Sequence, residues 1–131
     1  MKTISPVIEY QDKILDISLD KIEPNIYNPR ERFNEEEEDE LIESILTKGI
    51  LNPIVVYKRR SDGKFIILDG ERRYRACRKL NIRQIPARIL VREPSILESL
   101  SLMFHIHNVR QEWTEFAISL TIKRIVDEFG K

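Results

Sequence analysis

A single turn near the middle of the chain limits the fold most strongly. The apolar run Phe65–Leu68 predicts a strand, Asp69-Gly70 ends it, and the residues from Glu71 to about Lys79 have the spacing of a short basic helix. Glycine permits the backbone angles of so abrupt a reversal, and the free N–H groups of the new helix then face the end of the strand. A chain organised around this unit is predicted to be a mixed α and β (α+β) domain.

Three other runs supply the remaining strands of a small sheet. Lys13–Asp20 is short and partly alternating, and Ile85–Val91 is largely apolar. Ile54–Tyr57 is predicted to pair with Phe65–Leu68 as a hairpin, because Asp62-Gly63 between them is a typical turn sequence.

An acidic helix precedes the hairpin. Asn34 occupies the N-cap position of a helix predicted from about 35 to 48, Glu37 takes the capping-box position, and Gly49 ends the helix. The Glu35–Glu40 run is predicted to be a solvated helix start rather than a metal site, since negative charge suits the positive end of the helix dipole.

The last third of the chain is predicted to be helical. Pro94 fits the first turn of one helix, and Thr114 can cap another. Each helix has apolar residues at helical spacing: Ile96, Leu100, Met103 and His107 in the first, and Ile118, Ile122, Ile125 and Phe129 in the second. We therefore expect a domain over residues 1–92 and a helical extension over residues 93–131.

Composition places the chain among soluble domains. Its 131 residues carry 22 Lys+Arg against 22 Asp+Glu and one Cys, which indicates one globular domain in a reducing, cytoplasmic setting. The longest uncharged run, Ser99–Val109, has 11 residues, too few to cross a bilayer, and the start lacks the apolar block of a signal peptide. No membrane partner is expected.

The zero net charge hides an asymmetry along the chain. Residues 51–92 carry 12 basic and 3 acidic side chains, whereas residues 1–50 carry 6 basic and 13 acidic ones. An anionic partner is therefore expected to meet the middle of the chain. There the helix start after Gly70 combines with Arg72, Arg73 and Arg75 as a predicted phosphate site.

The same arginines also fit the solvated face of an amphipathic helix. Tyr74, Cys77 and Leu80 would then face inward, with Cys77 as a buried structural thiol. Charge pattern alone leaves both interpretations open.

Four motifs in order give the sequence a family resemblance. Gly70-Glu-Arg-Arg-Tyr-Arg-Ala76 resembles the second motif of the ParB family of chromosome and plasmid partition proteins. Asn25–Arg30 resembles that family's early Pro-Arg loop, Thr47–Ile54 its first box, and His107–Glu112 its third box. The resemblance covers about residues 14–120 and implies a ParB and sulfiredoxin type of fold, a small sheet with packed helices.

The resemblance implies a site for CTP and Mg²⁺. By matched position, the residues bordering the nucleotide are Thr47, Gly49, Ile50 and Pro53, and those holding the phosphates are Gly70, Glu71, Arg72 and Arg73. Asn28 and Arg30 belong to the loop near the phosphates, Asn108 lies by the metal, and Arg110 joins the nucleotide-binding set. In this family, nucleotide binding converts a DNA-loading dimer into a closed clamp.

The third box departs from the family pattern Glu-Asn-x-x-Arg. His107 and Gln111 occupy the Glu and Arg positions, and Arg110 lies one residue early. Because a neutral imidazole is a poor ligand for Mg²⁺, this pattern favours nucleotide binding over hydrolysis. An enzyme of this fold, acting as a nucleoside triphosphate hydrolase, phosphotransferase or nuclease, is the alternative, with Glu71 as the candidate catalytic carboxylate.

The resemblance also implies partners. ParB proteins recognise DNA and pair through regions that would follow Lys131, so this segment is expected to have weak, mainly electrostatic DNA affinity. A homodimer is expected to form through the last helix.

Overall fold

The computed structural model of the chain describes residues 9–28, 34–109 and 122–128. The strands are β1 (Leu15–Ser18), β2 (Ile22–Glu23), β3 (Ile54–Lys58), β4 (Phe65–Asp69) and β5 (Gln84–Ile89). The helices are α1 (Glu35–Lys48), α2 (Glu71–Lys79), α3 (Ile96–Val109) and α4 (122–128).

The strands form one mixed sheet in the order β1-β5-β3-β4-β2. β3 and β4 are the predicted antiparallel hairpin, which is confirmed. β1 runs antiparallel to β5, whereas the β3–β5 and β2–β4 pairs are parallel. β3 therefore lies in the centre of the sheet, and β4 beside it leads directly into α2.

Helices cover both faces of the sheet. On one face, α1 and α2 enclose a core that includes Ile54 and Ile85 from the sheet with Tyr74 and Cys77 from α2. On the other, α3 contributes a second cluster: Leu102 and Met103 with Val55, Leu68 and Leu90. The predicted mixed α and β class is confirmed, while the division of the chain at residue 92 stays a prediction.

The predicted bounds of α1 are confirmed. The Asn34 side chain caps the helix by accepting a 2.8 Å hydrogen bond from the Glu36 N–H, and Gly49 ends the helix at φ 72°. The prediction of a wholly solvated acidic run is wrong at Glu38, which is only 8% exposed. Its carboxylate is drawn inward by basic residues of α2.

The predicted start of α3 is also wrong. Pro94 precedes the helix, and Ser95 is its cap. The Glu98 N–H donates to Ser95 Oγ at 3.1 Å, and the Ser95 N–H donates to Glu98 Oε1 at 3.0 Å. This reciprocal capping box fixes the first turn at Ile96. The Ser95 hydroxyl accepts from a helix-end N–H group, whereas a proline side chain has no acceptor to offer.

The short helix α4 lies against the loop before α1. Tyr27 Oη donates to Glu128 Oε2 at 3.0 Å, and Arg124 Nη1 donates to the Ile26 carbonyl at 2.9 Å. Ile122, from the predicted apolar face, is exposed. The predicted cap Thr114 and the apolar residues Ile118 and Phe129 lie outside the described residues. Over the described ranges, each helix falls short of the length and apolarity needed to cross a bilayer.

Candidate functional site

The turn between β4 and α2 is built on Gly70. Its φ of 106° is in the left-handed region, and a Cβ there would lie 2.4 Å from Ile54 Cγ2. Only glycine fits this position without strain. Because Gly70 has no side chain, α2 begins without the side-chain cap that an Asn, Ser or Asp at this position could provide.

Arg73 ties the start of α2 to the loop before β3. Its Nη1 donates to the carbonyls of Asn52 at 2.9 Å and Pro53 at 3.4 Å, and its Nη2 contacts Asp69 Oδ2 at 3.2 Å. Asp69 and Arg73 are largely buried, with side chains 6% and 15% exposed. One guanidinium therefore fixes the spacing between a strand end, a helix start and the neighbouring loop.

The end of α1 and that loop carry the residues predicted to border the nucleotide. Thr47 lies in the last turn of α1, where its hydroxyl donates to the Glu43 carbonyl at 3.0 Å. Gly49 follows as the helix cap, Ile50 is half-buried against the core, and Pro53 leads into β3. Of this set, the structure brings Pro53 beside the Gly70 turn, since Arg73 contacts its carbonyl and that of Asn52.

Glu71 meets the earlier Pro-Arg loop at the same turn. Asn28 Nδ2 donates to Glu71 Oε2 at 3.0 Å. Burial raises the pKa of the Glu71 carboxyl, whereas the charge of Arg75 and the Asn28 hydrogen bond act in the opposite direction. A half-buried carboxylate beside a helix start can orient a polar group or donate oxygen to a hard cation.

Basic residues line the outer side of α2. Arg72 Nη2 lies 3.6 Å from Glu37 Oε2 of α1. Arg75 and Lys79 both contact Glu38, with Lys79 Nζ 2.7 Å from Glu38 Oε2. The site therefore joins a helix N-terminus to an arginine row whose charge is partly balanced by α1.

A comparison with protein families gives this geometry a context. Residues 6–104 match the model of the ParB N-terminal domain. The chain belongs to the ParB N-terminal domain family. This ParB N-terminal domain is 32% identical over 121 residues to the nucleoid occlusion protein of Oceanobacillus iheyensis, covering 92% of this chain and 42% of that protein. The chain thus spans about two fifths of the length of this curated relative.

Solved structures share the fold. The truncated chromosome-partitioning protein ParB of Caulobacter crescentus, complexed with CTP-gamma-S, aligns with a TM-score of 0.67 at 28% identity. That alignment covers 91% of this chain and 66% of the Caulobacter chain. Sulfiredoxin of Arabidopsis thaliana aligns with a TM-score of 0.54 at 27% identity, over 70% of this chain and 97% of that one. The ParB and sulfiredoxin type of fold is confirmed.

Part of the predicted site of this ParB domain is not described. Arg30 and Arg110 lie outside the described residues, and Asn108 lies in the last turn of α3 with its side chain outside them. Among the described residues, no three or more His, Cys, Asp or Glu side chains group as a metal site. A metal ion that also takes oxygens from a bound phosphate chain needs fewer protein ligands, and Glu71 offers one carboxylate of this kind.

Sequence reasoning missed three residues that shape the site of this ParB domain. Asp69 and Asn52 hold Arg73, and Glu38 holds the basic row of α2. The Asp69-Gly70 pair at the strand end is a usable signal for Asp69. The roles of Asn52 and Glu38 depend on contacts with residues distant in sequence, which no local pattern marks.

Cys77 is fully buried on the inward face of α2, as predicted. Burial raises the pKa of its thiol, with the charge of Arg73 acting in the opposite direction. A buried thiol with a raised pKa is unreactive, which supports a structural role in this ParB domain.

Proposed function

We propose that this domain binds CTP, with Mg²⁺, at the turn where β4 enters α2. The observation that carries the proposal is the Arg73 tie, which holds the loop before β3 against the first turn of α2. The tie brings the start of α2, which has no side-chain cap from Gly70, next to the loop before β3, an arrangement suited to phosphates on one side and a base on the other. The CTP-gamma-S complex of Caulobacter ParB supports this choice of ligand.

Each predicted residue then has a physical role. The N–H groups that follow Gly70 would donate hydrogen bonds to the phosphates together with Arg72, while Arg73 holds the loop before β3 against the helix start. Thr47, Gly49, Ile50 and Pro53 border the base, largely through backbone groups. Asn28 with Arg30, and Arg110 from the third box, are proposed to close on the phosphates.

The protein can supply oxygen ligands for Mg²⁺. This ion usually takes one or two carboxylates and completes its shell with phosphate oxygens and water. We assign Glu71 as the carboxylate, with Asn108 as a second donor from α3. When bound, the ion would neutralise part of the phosphate charge.

Calorimetry of the purified chain with CTP tests the proposal. Arg72→Ala is expected to weaken CTP binding by about 10-fold or more, since it removes a charge-assisted contact. Arg78→Ala is the matched control, because it removes the same charge from the far half of the helix, where Arg78 lies over the Tyr74 ring. We expect it to change the affinity by less than about 2-fold, the effect of a screened distant charge.

Two outcomes would contradict the proposal. Equal, feeble affinity for all four nucleoside triphosphates would remove the CTP assignment. Equal losses in the two arginine variants would show attraction by diffuse charge rather than by a site at Gly70.

For the whole protein we propose a role in chromosome or plasmid partition or nucleoid occlusion, inside the cytoplasm. DNA would be recognised mainly by parts of the protein other than this chain, and dimers would use the last helix as a nucleotide-controlled gate. Light scattering of the chain with and without CTP tests the gate, and a constant monomer mass would contradict it.

A further inference from the structure

Glu38 is an unusual member of the acidic run of α1. The residues around it, Glu35–Glu37, Asp39 and Glu40, are exposed, but the Glu38 side chain is only 10% exposed. A charged carboxylate is rarely this well covered unless it is paired. Its position therefore has to be explained by what it contacts.

In the described part of the chain, the Glu38 carboxylate forms its ion pairs with one face of α2. Lys79 Nζ lies 2.7 Å from Oε2, and Arg75 Nε lies 3.5 Å from Oε1. The hydrogen bond from Lys79 is the main cause that lowers the pKa of the Glu38 carboxyl, and the charges of Lys79, Arg75 and Arg72 act in the same direction. Glu38 is thus held as an anion at the centre of three cations.

These three cations form a continuous row. Positions 72, 75 and 79 are spaced at three and then four residues, so they share a helix face. Arg72, at the upper end of the row, stands in the first turn of α2 beside Gly70. Its Nε is buried without a hydrogen-bond partner in the described part of the chain, as is Glu38 Oε1. One buried N–H of the Arg72 guanidinium therefore lacks an acceptor among the described residues.

Glu37 and Glu38 of α1 contact different basic residues of α2. Glu37, with a side chain 48% exposed, is 3.6 Å from Arg72 and makes a weak surface pair that an incoming anion can replace. Glu38 contacts Arg75 and Lys79, so among the described residues the ion pair of the Arg72 guanidinium is this weak one with Glu37. Fixing long basic side chains in advance removes part of the conformational entropy that a ligand would otherwise have to overcome.

We propose, on the basis of the nucleotide-binding function above, that Glu38 is a positioning residue that orders the basic row of α2 for a triphosphate. It acts through Arg75 and Lys79, and it makes the site select a triphosphate over a shorter phosphate chain. Simple charge repulsion predicts the opposite change in CTP affinity. Removing the Glu38 carboxylate charge near an anion site should then strengthen binding.

The test compares Glu38→Gln with Glu40→Gln in the full chain. Affinities for CTP and CDP are measured by calorimetry in the presence of Mg²⁺, well below the melting temperature of each variant. We expect Glu38→Gln to weaken CTP binding by about 5-fold or more, the scale of one lost preorganised side chain, and to lower the ratio of CTP to CDP affinity. Glu40→Gln, an exposed change of equal charge on the same helix, should leave both quantities near wild type.

The affinity ratio separates positioning from mere stability, since a partly unfolded variant loses both ligands equally. Lys79→Gln is the second variant, used also if Glu38→Gln does not fold, and it should lower the ratio in the same direction. An unchanged ratio in the folded variants, or tighter CTP binding in Glu38→Gln, overturns the positioning role while nucleotide binding stands. If the wild type binds neither nucleotide, the proposed function itself fails.

Discussion

At the scale of single residues, Gly70 leaves the least room for substitution. Alanine there would have to keep φ at 106° and would place Cβ 2.4 Å from Ile54 Cγ2 and 3.0 Å from Arg73 Nη2. Left-handed backbone strain and overpacking add, so Gly70→Ala is expected to lower the free energy of unfolding by about 2–4 kcal/mol. Urea denaturation followed by circular dichroism measures this change.

Gly63→Ala is the control that separates the two causes. Gly63 also has a positive φ, 76°, but a Cβ there would meet only Lys58 Cε at 3.7 Å. Its loss should be about 1–2 kcal/mol, the cost of the backbone alone. Equal losses at the two glycines would show that the Ile54 contact relaxes freely.

The structural roles of some residues can be predicted from the sequence, and those of others cannot. Gly70 could be predicted because strand, glycine and helix follow one another within a few positions. The burial of Glu38 could not, since its partner Lys79 is 41 positions away and the local pattern is that of a solvated helix start. Arg73 was assigned to phosphates from its motif, but its contacts with the Asn52 and Pro53 carbonyls appear only once β3 and β4 are paired.

At the scale of elements, the Arg73 tie sets how α2 stands on the loop before β3. Arg73→Ala removes its hydrogen bonds and leaves the Asp69 carboxylate, 6% exposed, without this cation. Removing a cation from beside a buried carboxylate is costly, so we expect the free energy of unfolding to fall by about 3 kcal/mol. Urea denaturation gives the size, and hydrogen exchange should show faster exchange in the first turn of α2.

A second substitution checks the cause. Adding Asp69→Asn to the Arg73→Ala variant removes the buried carboxylate charge that has lost its Arg73 contact, so part of the lost stability should return. A double variant no more stable than Arg73→Ala would show that the carbonyl contacts, rather than the buried carboxylate, dominate the loss.

Elements were predicted well where their signals are local. The Asn34 cap and Gly49 bound α1, and Asp62-Gly63 marks the hairpin. The order of the strands was beyond the sequence, because the parallel pairs β3–β5 and β2–β4 join segments separated by helices. The start of α3 was missed because Pro94 is a common first helical residue, whereas the Ser95–Glu98 pair made the stronger cap.

At the scale of the whole molecule, α3 closes the second face of the sheet. Met103 is 1% exposed and packs with Leu68 and Val55. Met103→Ala is therefore expected to cost about 2–5 kcal/mol, as for other large-to-small changes in a core. Hydrogen exchange of β4 should accelerate in parallel, because the helix and the sheet unfold together.

Leu97→Ala provides the reference for this experiment. Leu97 is on the same helix but 74% exposed, so its loss should be within about 0.5 kcal/mol. If Met103→Ala destabilised α3 while β4 kept its protection, α3 would unfold separately from the sheet, which would support a boundary near residue 92.

Cys77 offers a way to watch the site open without adding any label. It is the single cysteine of the chain, and its side chain on the inward face of α2 has no exposed surface. A thiol reagent can reach it only when α2 separates from the sheet, so the rate of modification reports how often the helix lifts. The same helix begins at the proposed phosphate turn. A bound ligand should therefore slow modification of the thiol, and the rate of modification would report ligand occupancy in the native protein.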